Sequence, residues 1–167
     1  TQGGFTLSGG ATLRNAAVAG PSSAFIQVAS TDGTLDGVTL GVATTLLAGA
    51  QVTVLNNLIL AGDIKLLLNG TGTTNGSADD VGMSFSGGAQ TLDGMGTVEL
   101  FAAASADSNV QFRSIGTGAS LTIGPGITVQ NATNSTLTTL GSATAGLTIQ
   151  GTVKAQSSGQ TISITGS

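Results

Sequence analysis

The sequence predicts an all-β chain wound as a parallel β-helix, a solenoid of roughly six or seven coils with three short strands per coil and no significant helix. Three observations point there: short runs that alternate apolar and polar residues, 27 glycines spread over 167 residues, and internal near-repeats at irregular spacing.

Alternation comes first, because successive side chains of a strand face opposite sides. Val52/Val54, Leu58/Leu60 and Ile64/Leu66 are therefore expected inside, with Thr53, Ile59 and Lys65 outside. Three such strands in about fifteen residues make one coil. The same reading drafts Met83/Phe85, Leu92 and Val98/Leu100 as a coil, then Val110/Phe112, Leu121/Ile123 and Ile127/Val129, then Leu147/Ile149, Val153/Ala155 and Ile162/Ile164. The chain is thus one segment, 1–167, with less regular coils over 1–30 (Phe5/Leu7, Leu13, Phe25 and Val28 inward) and clearer repeats over 31–167. At about 4.8 Å per coil the body would stand about 30 Å tall.

The repeats support the same picture. Leu58 to Leu66 (LILAGDIKL) aligns without a gap on Leu147 to Ala155 (LTIQGTVKA), matching Lys65 with Lys154, and Leu121 to Val129 (LTIGPGITV) is a close relative. Thr34 to Gly37 (TLDG) recurs at Thr91 to Gly94. Between the strands, 69–80, 102–109 and 131–146 are small, polar and without alternation, and are expected to protrude as loops. Loops on a rigid scaffold are where function usually sits.

Composition removes several function classes. Charged residues make up 7% of the chain, against about 25% in a typical domain, so the surface must be polar through Thr, Ser, Asn, Gln and Gly. The net charge is -4, and Arg14, Lys65, Arg113 and Lys154 are scattered. They form no phosphate-neutralising stripe and no polybasic segment, so neither nucleic acid nor an anionic bilayer is an expected partner. The most apolar stretch, Leu46 to Leu68, is broken by Gln51, Asn56, Asn57, Asp63 and Lys65, which argues against membrane insertion as a helix. Without Cys there are neither disulfides nor thiolate metal sites, a composition that suits a large exported bacterial protein. A chain opening at Thr1 reads as a mature or excised piece.

Chemistry is thinly supplied. The chain has no His, Cys or Tyr, which excludes a Ser-His-Asp triad and the usual zinc ligands. No catalytic, cofactor-binding or metal residue is assigned, and the chain is expected not to be an enzyme. Asp79 and Asp80 are the adjacent acids; a solvated loop is the favoured reading, with an acid–base pair or a calcium site including Asn75 and Ser77 as the competing ones. Asp32, Asp36 and Asp93, each near or before glycine, read as turn residues. The five Phe fall mostly at expected inward positions, leaving no aromatic platform for sugars. Asn69, Asn75, Asn131 and Asn134 open glycosylation sequons of the kind an Asn/Thr-rich chain contains by chance. Outward residues mix Thr, Ile, Lys, Gln, Glu and Ser, which does not describe a regular ice-binding face.

The LTIGPGITV unit, the TLDG turns and the closing stretch from Gly151 to Ile164 resemble repeat segments of giant bacterial surface and secreted proteins of the filamentous-haemagglutinin and autotransporter-passenger type, over about residues 31–167. The resemblance implies a right-handed β-helix at the cell surface or outside the cell, and a non-enzymatic structural or adhesive role. It specifies architecture better than activity. Phe5 to Leu7 and Thr161 to Ile164 look like ordinary coil strands without a capping helix, and open strand edges are templates for further pairing. The expected partners are neighbouring repeats or copies stacked end to end in a stalk or fibre, with cell-surface or matrix glycans as further candidates. The alternative is a polysaccharide-binding or polysaccharide-cleaving β-helix domain.

Overall fold

A computed structural model describes residues 3–29, 32–70, 80–102, 109–132, 138–156 and 159–167. These form a single 16-stranded sheet in which every pairing between strands is parallel. No helix occurs among the described residues.

The strands collect into three columns, in each of which a strand lies beside the one from the previous circuit of the chain. Column one holds β1 (Gly4–Leu7), β4 (Phe25–Val28), β6 (Ala43–Leu46), the last part of β7 (Gln51–Gly70), the second part of β9 (Ala89–Ala102), β12 (Ile127–Asn131) and β15 (Thr152–Lys154). Column two holds β2 (Thr12–Arg14), the first parts of β5 (Gly33–Gly41) and β7, then β8 (Val81–Ser86), β10 (Val110–Ile115), β13 (Thr138–Gly141) and β16 (Ile162–Thr165). Column three holds β3 (Ala17–Ala19), later parts of β5 and β7, the start of β9, β11 (Ser120–Ile123) and β14 (Gly146–Ile149). The chain visits column one, then two, then three, and repeats.

Register turns the apolar alternation into vertical rows. In column one, Phe5, Ile26, Thr44, Leu66, Val98, Val129 and Val153 lie opposite one another in succession. In column three the row is Val38, Leu58, Leu92, Ile123 and Ile149. Such rows from all three columns converge on one continuous core, in which Leu58, Leu60, Leu66, Leu68, Val98, Leu100, Leu121 and Ile123 have no exposure. Phe85 and Phe112 meet edge to face inside it, with centroids 5.2 Å apart, a favoured arrangement of two ring quadrupoles.

Some expectations change. The segment 131–146 is not a loop throughout: it contains β13, paired on both sides, and opens with Asn131, which is fully buried. This strand shows only Leu140 as a large apolar residue, because Thr138 takes an inward place and spends its hydroxyl on the carbonyl of Thr161, 3.1 Å away. Consequently Leu140 precedes Leu147/Ile149 in one circuit, and Val153 opens the next, followed by Ile162 and Ile164 opposite Thr138 and Leu140. At the other end, Ile26 and Val28 point inward and Phe25 lies outside. Gly4 and Ala43 flank Phe25 in the ladder, and a side chain at Gly4 would collide with its ring. Of the five phenylalanines, Phe85 and Phe112 are buried, Phe25 and Phe101 are half-buried, and Phe5 is 59% exposed.

The parts of the expected loops at 71–79, 103–108 and 133–137 lie outside the described residues. Their flanking residues, Gly70 and Asp80, Ala102 and Asn109, Ala132 and Thr138, all fall at the passage from column one to column two. The three longest breaks between described segments therefore all fall at one corner.

The corner from column three to column one is built differently. Extra residues between Leu60 and Ile64 interrupt the β7–β9 register, and Gly62 (φ 85°) turns there with open space around its α-carbon. Opposite it, Gly94 (φ 93°) presses against the carbonyl oxygen of Leu60, where a β-carbon would overlap. Both glycines satisfy a left-handed turn, but only Gly94 is also held by close approach. Gly62→Ala is expected to lower the unfolding free energy by about 1–2 kcal/mol and Gly94→Ala by at least about 3 kcal/mol. Urea denaturation at unchanged m-value measures the difference; equal losses would contradict this account of the corner.

Candidate functional site

The densest polar cluster stands at the corner between columns two and three. Asp36 ends its column-two passage and is nearly buried. Its Oδ2 accepts a bond from Arg14 Nε at 2.7 Å in the strand on one side, and its Oδ1 accepts one from Asn56 Nδ2 at 2.6 Å on the other. The backbone N–H of Asn15 donates to the Asp36 carbonyl at 2.7 Å. Asn15, Gly37, Asn56 and Asn57 have φ of 49°, 63°, 52° and 71°, a region that asparagine and glycine enter more readily than other residues. The ladder continues through Asn57, whose N–H donates to Gln90 Oε1 at 2.7 Å and whose Oδ1 accepts from Thr91 N at 2.7 Å.

This arrangement settles what Asp36 can do chemically. The bond from Asn56 is the largest influence on its carboxyl; burial opposes it, and the hydrogen bond and charge of Arg14 add to it, so the pKa falls below its ordinary value of 3.8. Both oxygens are already engaged, leaving a corner clamp between three adjacent circuits rather than a free acid or base. The turn reading also fits Asp93, which is exposed and precedes the left-handed Gly94. Despite the shared TLDG motif, the two aspartates occupy different corners, so the echo marks a type of turn and not a repeat register.

Of the adjacent acids, Asp79 lies outside the described residues. Asp80 Oδ1 accepts the N–H of Asn109 at 3.0 Å, and its carbonyl accepts from Gln51 Nε2 at 3.1 Å. It thus joins the roots of two loop-bearing circuits to the one before them. Among the described residues no group of three or more His, Cys, Asp or Glu side chains comes together as a metal site. Asn131 of the third sequon is fully buried and accepts a bond from Gln156 N at 2.9 Å, so it is inaccessible to a glycan in the fold. Asn75 and Asn134 lie outside the described residues.

Outward rows reveal order that linear spacing hides. Thr91, Thr122 and Thr148 lie in one row of column three, and Thr97, Thr128 and Thr152 in one row of column one. Below the second row lies Lys65, opposite Thr97, and below the first the Asn57 side chain accepts the N–H of Thr91. Beside the second row, Lys65 Nζ stands 3.4 Å from both Glu99 carboxylate oxygens, and Gln130 Nε2 donates to Glu99 Oε2 at 3.3 Å. Lys65 and Lys154, aligned in the linear repeat, sit in neighbouring rows because the Lys154 circuit turns its corner in fewer residues.

The two ends of the sheet are apolar. At the first circuit a cavity of about 390 Å³ is lined by Phe5, Leu7, Leu13, Val18 and Ile26 among others. Ile164 is 52% exposed at the last circuit, with Leu147, Ile149, Val153 and Ile162 partly buried beside it. Phe5 and Ile164 are exposed although their registers place them opposite the core residues Ile26 and Leu140.

Stability linked to Asp36 has a definite sign. A carboxyl whose folded pKa is depressed stabilises the fold above its unfolded value, and that contribution disappears as pH falls through the folded value. The stability advantage of the parent chain over Asp36→Asn is expected to be constant near neutral pH and to shrink as pH drops below about 4. Urea midpoints of both chains between pH 7 and pH 2.5 test this; a difference that grows on acidification would show that the carboxylate is not held by its neighbours.

No protein-family model matches this chain, and no curated protein and no solved structure matches it either.

Proposed function

We propose that the chain is a right-handed parallel β-helix of six to seven coils, acting as a structural and adhesive segment of an extracellular bacterial protein and stacking end to end with neighbouring repeats or copies. Three columns kept in register from β1 to β16 support the solenoid reading. Connections between parallel strands are right-handed in about 98% of cases, which supports the hand. A core continuous along the columns and a polar, sparsely charged exterior suit a rigid spacer.

The observation that carries the proposal is the unbroken parallel pairing of one circuit on the next. Phe5 and Ile164 belong to inward rows yet lie open, and among the described residues no strand pairs with the outer edges of β1 and β16. Such edges recruit strands. Loop roots gathered at one corner add a display surface, on which the adhesive part of the reading rests. Polysaccharide cleavage is less well supported: it needs two facing carboxyl groups about 5–9.5 Å apart, whereas Asp36, Asp80 and Glu99 are each engaged in structural hydrogen bonds.

Electron microscopy and sedimentation velocity over a concentration series test the stacking role. Unbranched filaments about one coil stack wide are the expected product, growing in length with concentration. Monodisperse single chains throughout the series would overturn self-stacking.

A further inference from the structure

The corner from column three to column one changes character along the molecule. Met95 and Pro125 project there in later circuits, whereas Gly20, Gly41 and Gly62 hold the equivalent passages in earlier ones. With no side chain at those three turns the wall is indented. A groove of about 410 Å³ results, bordered by Pro21, Ser22, Ala43, Asp63 and Lys65.

Asp63 is held on this groove in a left-handed conformation, with φ of 57°, which costs a non-glycine residue energy and persists where the surroundings impose it. Its carboxylate is exposed and has no hydrogen bond or ion pair among the described residues. Asp36, Asp80 and Glu99, by contrast, are all engaged. Across the groove, the Lys65 side chain is 52% exposed with its ammonium 3.4 Å from Glu99, and an ammonium has three protons to donate.

An aromatic ring adjoins these charges. Phe25 pairs with Ala43, and the Thr44–Leu66 pair one residue on sets Ala43 beside Lys65. The tip of the Phe25 ring leans over Gly4, so its neighbours in the row are a glycine and an alanine, neither long enough to cover it. Gln27 and Thr45 pair in the next outward row. Turning Phe25 outward thus sets a ring, a small notch at Ala43 and an ammonium in line over two ladder steps, about 9.6 Å. Asp63 stands on the corner side of that line, and Gln27 and Thr45 on the other.

The chemistry of this lining selects a ligand class. The groove is open and has no closed apolar pocket for an acyl chain, and a polyanion would meet the free Asp63 carboxylate. A hexopyranose combines a flat C–H face, which packs on an aromatic ring, with a rim of hydroxyls that both donate and accept. We propose that the groove binds a neutral hexopyranose glycan, one sugar ring stacked on Phe25 and the hydroxyls of the unit shared among Asp63, Lys65, Gln27 and Thr45. The proposal rests on the adhesive part of the reading above and gives it a site and a ligand class.

Titration of the whole chain with cellopentaose and with maltopentaose, followed by proton–nitrogen NMR, tests it. At least one of the two is expected to shift the amides of Gly41, Ala43, Asp63 and Lys65 together. Phe25→Leu, which keeps an apolar side chain without a ring, is expected to weaken that binding about tenfold or more. Asp63→Asn, which suits a left-handed φ, is expected to weaken it about three- to tenfold. Asp93→Asn, beside the same corner in the next circuit, is expected to leave it unchanged. Unchanged circular dichroism shows that the variants fold. Parent-like binding by Phe25→Leu, binding of heparin in place of both neutral oligomers, or binding of neither oligomer would overturn the site. Beads coated with the chain separate that failure from failure of the adhesive reading. Adhesion to a cell layer that survives Phe25→Leu overturns the site alone, and an absence of adhesion by the parent chain overturns both.

Discussion

Everything in this molecule depends on the backbone ladder between successive circuits. Parallel strands about 4.8 Å apart bring residues of the same row almost into contact, so a side chain is judged by the residue above and the residue below. Among the described residues, apolar rows converge into a core without any helix or second sheet. A polar residue that enters an inward row must find its partner locally, because a buried unpaired group would cost about 1–3 kcal/mol. Thr138 bonds the Thr161 carbonyl, and Asn131 accepts from Gln156. These two bonds let β12 and β13 continue the ladder with residues that a strand of Val, Ile and Leu would not contain.

The corners absorb what the ladder cannot. Between columns two and three, left-handed Asn15, Gly37 and Asn56 fall at successive turns, and the Arg14–Asp36–Asn56 bonds tie those turns together. Extra residues are taken up between Leu60 and Ile64 at the next corner, and the longest insertions all begin and end at the third. Concentrating length variation outside the strands leaves the inward rows unbroken. That division between regular walls and variable corners is how an irregular sequence maintains a regular sheet.

Legibility in the sequence followed the same division. All-β character and the inward sets Val52/Val54, Leu58/Leu60, Met83/Phe85 and Leu121/Ile123 were readable, because alternation is a local signal. The strand Thr138–Gly141 was hidden, since its inward Thr138 resembles a loop residue until its cross-circuit bond is known. Phe25 lies on the face opposite to its expected one because Phe25 and Ile26 are adjacent and equally apolar, and Gly4 and Ala43 in other strands leave room for the ring outside. The Asp36 clamp was half visible: Asp-Gly announces a turn, but Arg14 and Asn56 lie 22 and 20 residues away in sequence. Threonine rows were invisible for the same reason, their members being aligned by corner lengths that no linear comparison measures.

Specificity at the ends also follows from the ladder. A lone sheet edge is a generic template, and edge strands commonly carry charge or proline against unwanted pairing. Here Arg14 projects from the first circuit while anchored to Asp36, its side chain 70% exposed, and Lys154 projects from the last. Each would be left against a desolvating neighbour by an isolated strand added out of row. Three columns impose a stricter condition than one edge, because a partner must offer three parallel strands at matching angles and heights to cover Phe5, Leu13 and Val18 together. A flat sheet or a single extended peptide pairs one column and leaves the apolar rows of the other two in water. A body with the same three-column cross-section would satisfy backbone and core at once, so the ladder that joins the circuits also restricts what its outer circuits could accept.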